Sequence, residues 1–211
     1  MTQHNPQEKT PVNPSLSETQ LDALRELANI ASGTAATALS QMLAREVEIN
    51  VPRALALPPA DAVDECGDPE QHVAGVVVPI QGDIDGMVLL LIPYEQAEIL
   101  CSLLGVEAYT EYGDSALREI GNILATSYLN GLGSMTGLAL EPSPPHLHSD
   151  MLAAIVSSLL IGTAGADDLA LVLDSELDVA GDPCSISFLL LPTSGQITDL
   201  LAPLGLADPS A

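Results

Sequence analysis

Glu26 and Asn29 lie three residues apart in DALRELANIASGTA (22–35), and the pair recurs as Glu119 and Asn122 in SALREIGNILATSY (115–128). A carboxylate can grip a cation, and a primary amide can both donate to and accept from a water molecule. Held side by side on a rigid element, the two would make a polar ridge suited to docking against another surface. Asn is an unfavourable residue for a helix interior, because its short amide competes for nearby backbone groups. Its place in the middle of two helical stretches therefore asks for a reason.

The surrounding pattern is that of an amphipathic helix in both cases. At about 100° per residue, Asp22, Glu26, Asn29 and Gly33 fall within about 60° of arc, opposite Leu24, Leu27, Ala28 and Ala31. Ser115, Glu119, Asn122 and Thr126 make the same stripe, backed by Leu117, Ile120, Gly121 and Leu124. The flanking residues are mostly small, which leaves a shallow ridge suited to docking. A lone Glu-x-x-Asn is ordinarily part of a solvated helix face. Two copies are harder to dismiss, since Lys, Gln or Ala would serve at least as well at solvated positions.

The rest of the chain reads as the frame for these helices. Ser17, with Gln20 three residues on, is an N-cap signal for a helix running to about Ala44 and interrupted by Gly33. EVEINVP (46–52) alternates as a strand, and 53–71, rich in Pro, Asp and Ala, reads as loop with room for a helical turn. HVAGVVVPI and GMVLLLI are apolar strands joined by the turn QGDID, and PYEQAEILCSLLG (93–105) is a helix with Pro at its start and Gly at its end. The order then repeats: a helix over 112–132, a short strand GLALEP, strands DLALVLDSELDV and CSISFLLLP, and a closing helix in PTSGQITDLLAPLG. A further apolar helix at 150–162 has no evident match in the first half. Asp22 and Ser115, Glu26 and Glu119, Asn29 and Asn122, and Pro52 and Pro145 are each separated by 93 positions. This reads as an internal duplication. The expected fold is α/β of the α+β type, with pseudo-twofold symmetry and a mainly antiparallel sheet covered by helices. A flexible N-terminal tail is expected over 1–16, then a single domain over 17–208 made of repeats at about 17–106 and 110–207.

The motif D-x-x-x-E-x-x-N, with 22 residues between the Asn and a Pro, is Asp22, Glu26, Asn29 and Pro52; its second form is Ser115, Glu119, Asn122 and Pro145. It resembles the CheC branch of the CheC/CheX/FliY phosphatases, which act on the phosphorylated response regulator CheY. The resemblance covers nearly the whole chain after the tail. CheX-like members resemble a single-site version, and FliY-like members carry an additional FliN-like domain, for which these 211 residues leave no room. The related flagellar switch protein FliM is expected to lack the Glu/Asn pair. The resemblance implies a cytoplasmic hydrolase with no cofactor of its own, because Mg²⁺, a lysine and the aspartyl phosphate all belong to the response regulator. It assigns Asn29 and Asn122 to orient the attacking water, much as a Gln does in GTPases. Glu26 and Glu119 are assigned to pair with the regulator's lysine, Asp22 and Ser115 to a supporting role, and Pro52 and Pro145 to structure. Asp in one copy against Ser in the other admits two sites of unequal activity. The receptor deamidase CheD is a further expected partner, although no residue-level motif for it is evident. The alternatives are a non-catalytic adaptor that binds phosphorylated CheY, CheD or both, and a structural component of the FliM type.

Composition narrows the remaining classes. Five basic residues face 29 acidic ones, for a formal charge of −24, so nucleic-acid and anionic-membrane partners are set aside. Charge this widespread reads as a hydrated acidic surface adapted to a salty cytoplasm, before attraction to a basic partner. With no Trp, one Phe and four Tyr, the core must be aliphatic. Three scattered cysteines, Cys66, Cys101 and Cys184, suit a reducing compartment. MTQHNPQEKTPVNPS, polar with three prolines, does not read as a signal peptide, and MLAAIVSSLLIGTAGA (151–166) is short for a membrane span. His146, His148 and Asp150 read as an exposed loop and not a metal centre, and no metal is expected. GDIDG lacks the downstream Glu of a calcium loop, and GLGSMTG (131–137) lacks the Lys of a P-loop and reads as a helix cap and loop.

Overall fold

The computed structural model describes residues 16–163, 170–193 and 196–204. The N-terminal tail therefore lies outside the described residues except for Leu16, as do positions 205–208 at the other end. Helix α1 spans Glu18–Leu43 and opens with a complete capping box: Gln20 N donates to Ser17 Oγ (3.3 Å) and Ser17 N donates to Gln20 Oε1 (2.6 Å). It ends where Ala44 turns left-handed at φ 50°. Gly33 does not interrupt it. A mid-helix Gly costs about 1 kcal/mol, whereas each buried Leu contributes about 1.5–3 kcal/mol, and α1 buries Leu24, Leu27, Leu39 and Leu43 on one face. Packing on both sides of Gly33 carries the helix through.

Strand β1 runs Val47–Leu57, beyond the expected end at 52, and helix α2 (Pro59–Cys66) follows in the stretch expected as loop. Strands β2 (His72–Gly82) and β3 (Gly86–Pro93) form the expected antiparallel pair, and helix α3 is Tyr94–Leu103. Helix α4 spans Glu111–Thr136, capped by Thr110 Oγ1, which accepts from Gly113 N at 3.2 Å. It continues through most of GLGSMTG and stops at Gly137, whose φ of 75° is the left-handed C-cap. Two of its glycines are needed for close approach. A Cβ on Gly121 would lie 2.5 Å from Val76 Cγ1 of β2, and one on Gly131 would lie 2.7 Å from Ala31 Cβ of α1.

Strand β4 is Leu140–Pro142 and β5 is His146–Met151, so the His146-x-His148 segment is a strand paired to β2 and not a loop. Its polar, exposed alternation hid that pairing. Helix α5 (Leu152–Thr163), strands β6 (Ala170–Val179) and β7 (Asp182–Pro192) and helix α6 (Gln196–Leu201) complete the fold.

All seven strands join one antiparallel sheet in the order β1-β6-β7-β3-β2-β4, with β5 also on β2. Exchanging each first-half strand with its second-half counterpart reverses this order and reproduces it. Helices cover both faces. Residues of α1, α3 and α4 share one core with Val76, Val78, Leu90, Phe188 and Leu190. Ala62 of α2 and Leu152, Ile155 and Val156 of α5 share the other with Val73, Val77, Leu89, Leu91 and Leu189. Burial on both faces explains why the central strands read as continuous apolar runs. Helix α5, expected to lack a match, has a positional counterpart in α2: each sits between the first and second strands of its half, on the same face of the sheet.

Candidate active site

On α1, Asp22, Glu26 and Gly33 are exposed and Asn29 is half-buried, opposite the buried Leu24, Leu27, Ala28 and Ala31. Asp22 Oδ1 is 3.0 Å from Arg25 Nη2, a solvent-screened pair one turn apart. Ile30, beside Asn29, is 61% exposed, and the space above Gly33 is open. The ridge thus carries acid, amide and one apolar contact point. On α4, Ser115 and Glu119 are exposed and Asn122 and Thr126 are half-buried, with Leu117, Ile120, Gly121 and Leu124 beneath. Among the described residues, no cation lies within ion-pairing distance of Glu26 or Glu119. Each helix therefore brings its motif residues together on one accessible stripe.

The two asparagines differ in what they touch. Asn29 Nδ2 donates to Arg25 O (3.0 Å) and to Val51 O (3.2 Å), and its Oδ1 accepts from Val51 N (2.8 Å). The pairing of β1 with β6 skips from Asn50 to Arg53 while β6 advances from Glu176 to Asp174, so Val51 and Pro52 together face Ser175. This is a β-bulge. It takes Val51 out of the ladder, and the Asn29 amide serves both of its peptide groups. Pro52, which has no N–H, fits the bulge without losing a rung. Two more side chains of α1 reach the same strand: Ser32 Oγ, which donates to Asn29 O at 2.8 Å, has Ile49 O at 3.4 Å, and Ser40 Oγ accepts from Val47 N at 3.0 Å. Opposite the bulge, Ser175 is held from α4 by Tyr128, with 3.2 Å between their hydroxyl oxygens.

The second half also breaks its strand at this place. β4 ends at Pro142 opposite Ile80 and β5 begins at His146 opposite Val77, so residues 143–145 face Val78 and Pro79. Here, however, the positions 93 beyond Ser32, Ser40 and Val51 are Ala125, Gly133 and Pro144. None of these three carries a hydroxyl, and Pro144 offers no N–H. Among the described residues nothing hydrogen-bonds the Asn122 side chain, yet neither of its polar atoms is sealed from solvent without a partner. It is an uncommitted amide beside an uncommitted carboxylate. Val51, Ser32 and Ser40 escaped the sequence reading, because their contacts to α1 form only in the folded sheet.

Other reactive groups are placed away from this chemistry. Burial pushes the Cys66 and Cys184 thiols up to about 12 and raises Cys101, which leaves them protonated at neutral pH. His146, His148 and Asp150 are exposed along β5, and no group of three metal-binding side chains occurs among the described residues. Arg53, just past the bulge, bonds Asp174 (2.6 Å) and Glu65 (2.7 Å) and ties β1, β6 and α2 together. Among the described residues no helix is long and apolar enough to cross a membrane.

The model of the CheC-like family matches residues 20–55 and 113–149, two stretches that begin 93 positions apart and contain the two motifs. A Bacillus subtilis protein named CheY-P phosphatase CheC is 36% identical over 170 residues, covering 77% of this chain and 81% of that protein. The chain belongs to the CheC-like family. Among solved structures, a chain of Thermotoga maritima FliY shares the fold of this CheC-like chain at 20% identity and a TM-score of 0.75, covering 92% of this chain and 99% of the solved one. A CheX-CheY-BeF3-Mg²⁺ complex from Borrelia burgdorferi matches at 20% identity and a TM-score of 0.50, over 80% of this chain and 97% of that one.

Proposed function

We propose that this CheC-like protein is a phosphatase that hydrolyses the aspartyl phosphate of a CheY-like response regulator. The observation that carries the reading is the Asn122 amide, half-buried and, among the described residues, unpartnered beside the exposed Glu119, which is likewise unpaired there, on an open helix ridge. The name of the Bacillus subtilis relative and the CheY bound to the Borrelia burgdorferi CheX support the choice of substrate. The acyl phosphate, its Mg²⁺ and a lysine belong to the regulator. Glu26 or Glu119 meets that lysine and sets the register of the two proteins. The amide of the neighbouring Asn accepts from a water and holds it in line with phosphorus. The water oxygen bonds to phosphorus as the bond to the aspartate oxygen breaks, leaving inorganic phosphate and a free carboxylate. Such a reaction is governed by positioning and electrostatics, so it needs no nucleophile from this chain. CheD, the other partner the resemblance implies, is kept as a partner to be tested by co-purification.

Decay of a phosphorylated CheY-like regulator tests the reading. Wild type is expected to accelerate decay, and Asn29→Ala/Asn122→Ala to leave it at the intrinsic rate while still binding the regulator. Binding without acceleration by wild type would establish an adaptor instead. A double mutant as active as wild type would remove both asparagines from the mechanism.

A further inference from the structure

Orienting a water needs free hydrogen-bonding capacity, and the two halves differ in how much they retain. A primary amide has two N–H donors and acceptor room for two bonds. In Asn29 both donors are engaged, by Arg25 O and Val51 O, and Val51 N–H takes one acceptor position. Turning this amide toward a bound phosphate would strand both peptide groups of Val51, a residue only 1% exposed. In the second half the position matching Val51 is Pro144, which has no N–H to offer, and the Asn122 amide has no partner among the described residues. The bulge therefore explains an Asn at 29 on structural grounds alone. It gives no reason for an Asn at 122, where Ala or Gln would favour the helix.

We infer that the Val51 peptide is a latch that holds Asn29 out of the reaction, so that the working centre is the Asn122 site, left open by Pro144. The inference rests on the phosphatase reading. Val51 acts through Asn29 and is a positioning residue; its peptide touches no reacting atom.

The test uses steady-state decay of the phosphorylated regulator. Asn122→Ala is expected to lower kcat by about tenfold or more, with half-saturation within about twofold, because the docking carboxylates remain. Adding Val51→Pro to Asn122→Ala removes the latch donor without removing a ladder rung, and activity is expected to rise several-fold above Asn122→Ala alone. Adding Asn29→Ala as well is expected to abolish that rise. A general loosening of structure would not restore turnover through one named amide. If Asn122→Ala keeps half or more of the wild-type kcat, or if folded Val51→Pro/Asn122→Ala regains nothing, the latch is overturned. Should Val51→Pro fail to fold, side-chain amide exchange by NMR in the wild type decides. The Asn29 Nδ2 protons are expected to exchange more slowly than those of Asn122, and equal rates would overturn the inference. A wild type that does not accelerate decay overturns the phosphatase reading itself, and the exchange measurement separates that result from failure of the latch.

Discussion

At the scale of single residues, the same side chain does different work in two similar places. Asn29 replaces a rung of β-ladder: its amide presents a donor and an acceptor to the C=O and N–H of one residue, Val51, that the bulge has removed from pairing. Removing it leaves a buried N–H and C=O without partners, which costs about 1–3 kcal/mol. Removing the unpartnered Asn122 substitutes a better helix former and costs no bond within the described structure. Asn29→Ala is therefore expected to lower the urea midpoint at constant slope, while Asn122→Ala stays within about 0.5 kcal/mol of wild type. The opposite ranking would show that the bulge does not depend on the Asn29 amide.

At the scale of elements, the motif helices are positioned by what they lack as much as by what they bury. Gly121 lets α4 approach β2 so closely that an added Cβ would lie 2.5 Å from Val76 Cγ1. Gly121→Ala gains about 1 kcal/mol of helix propensity but overpacks a filled core at about 1–3 kcal/mol. A net loss of thermal stability is expected, partly recovered when Val76→Ala is added; no recovery would mean that this contact is not the one felt. These helices were legible in the sequence because a period of 3.6 with apolar residues on one side survives any tertiary arrangement. The stripe of Glu26 and Asn29 and that of Glu119 and Asn122 followed from the same count. β5 and α2 were not legible. His146–Met151 is polar and exposed, so only its pairing to β2 makes it a strand. Pro59–Cys66 is short, and its place depends on the sheet beneath it. The spacing of 22 residues between Asn and Pro was visible, but its cause, a side chain reaching a bulge on the neighbouring strand, belongs to the tertiary structure.

At the scale of the whole molecule, a formal charge of −24 on 211 residues sets a condition on stability. Self-repulsion opposes the compact state, and salt shortens its range from about 10 Å at 0.1 M to about 3 Å at 1 M. Raising KCl across that interval is expected to raise the unfolding temperature, and an unchanged temperature would show that the acidic surface is indifferent to salt. The sheet order carries a consequence of another kind. Among the described residues β1 pairs only with β6, Val47 lying against Val179, while β4 and β5 of the second half pair with β2 of the first. During synthesis α1 and β1 therefore leave the ribosome well ahead of the strand that sets their register. At about 5–20 residues per second, the bulge that fixes Asn29 waits many seconds for its opposite side, Ser175, to be made.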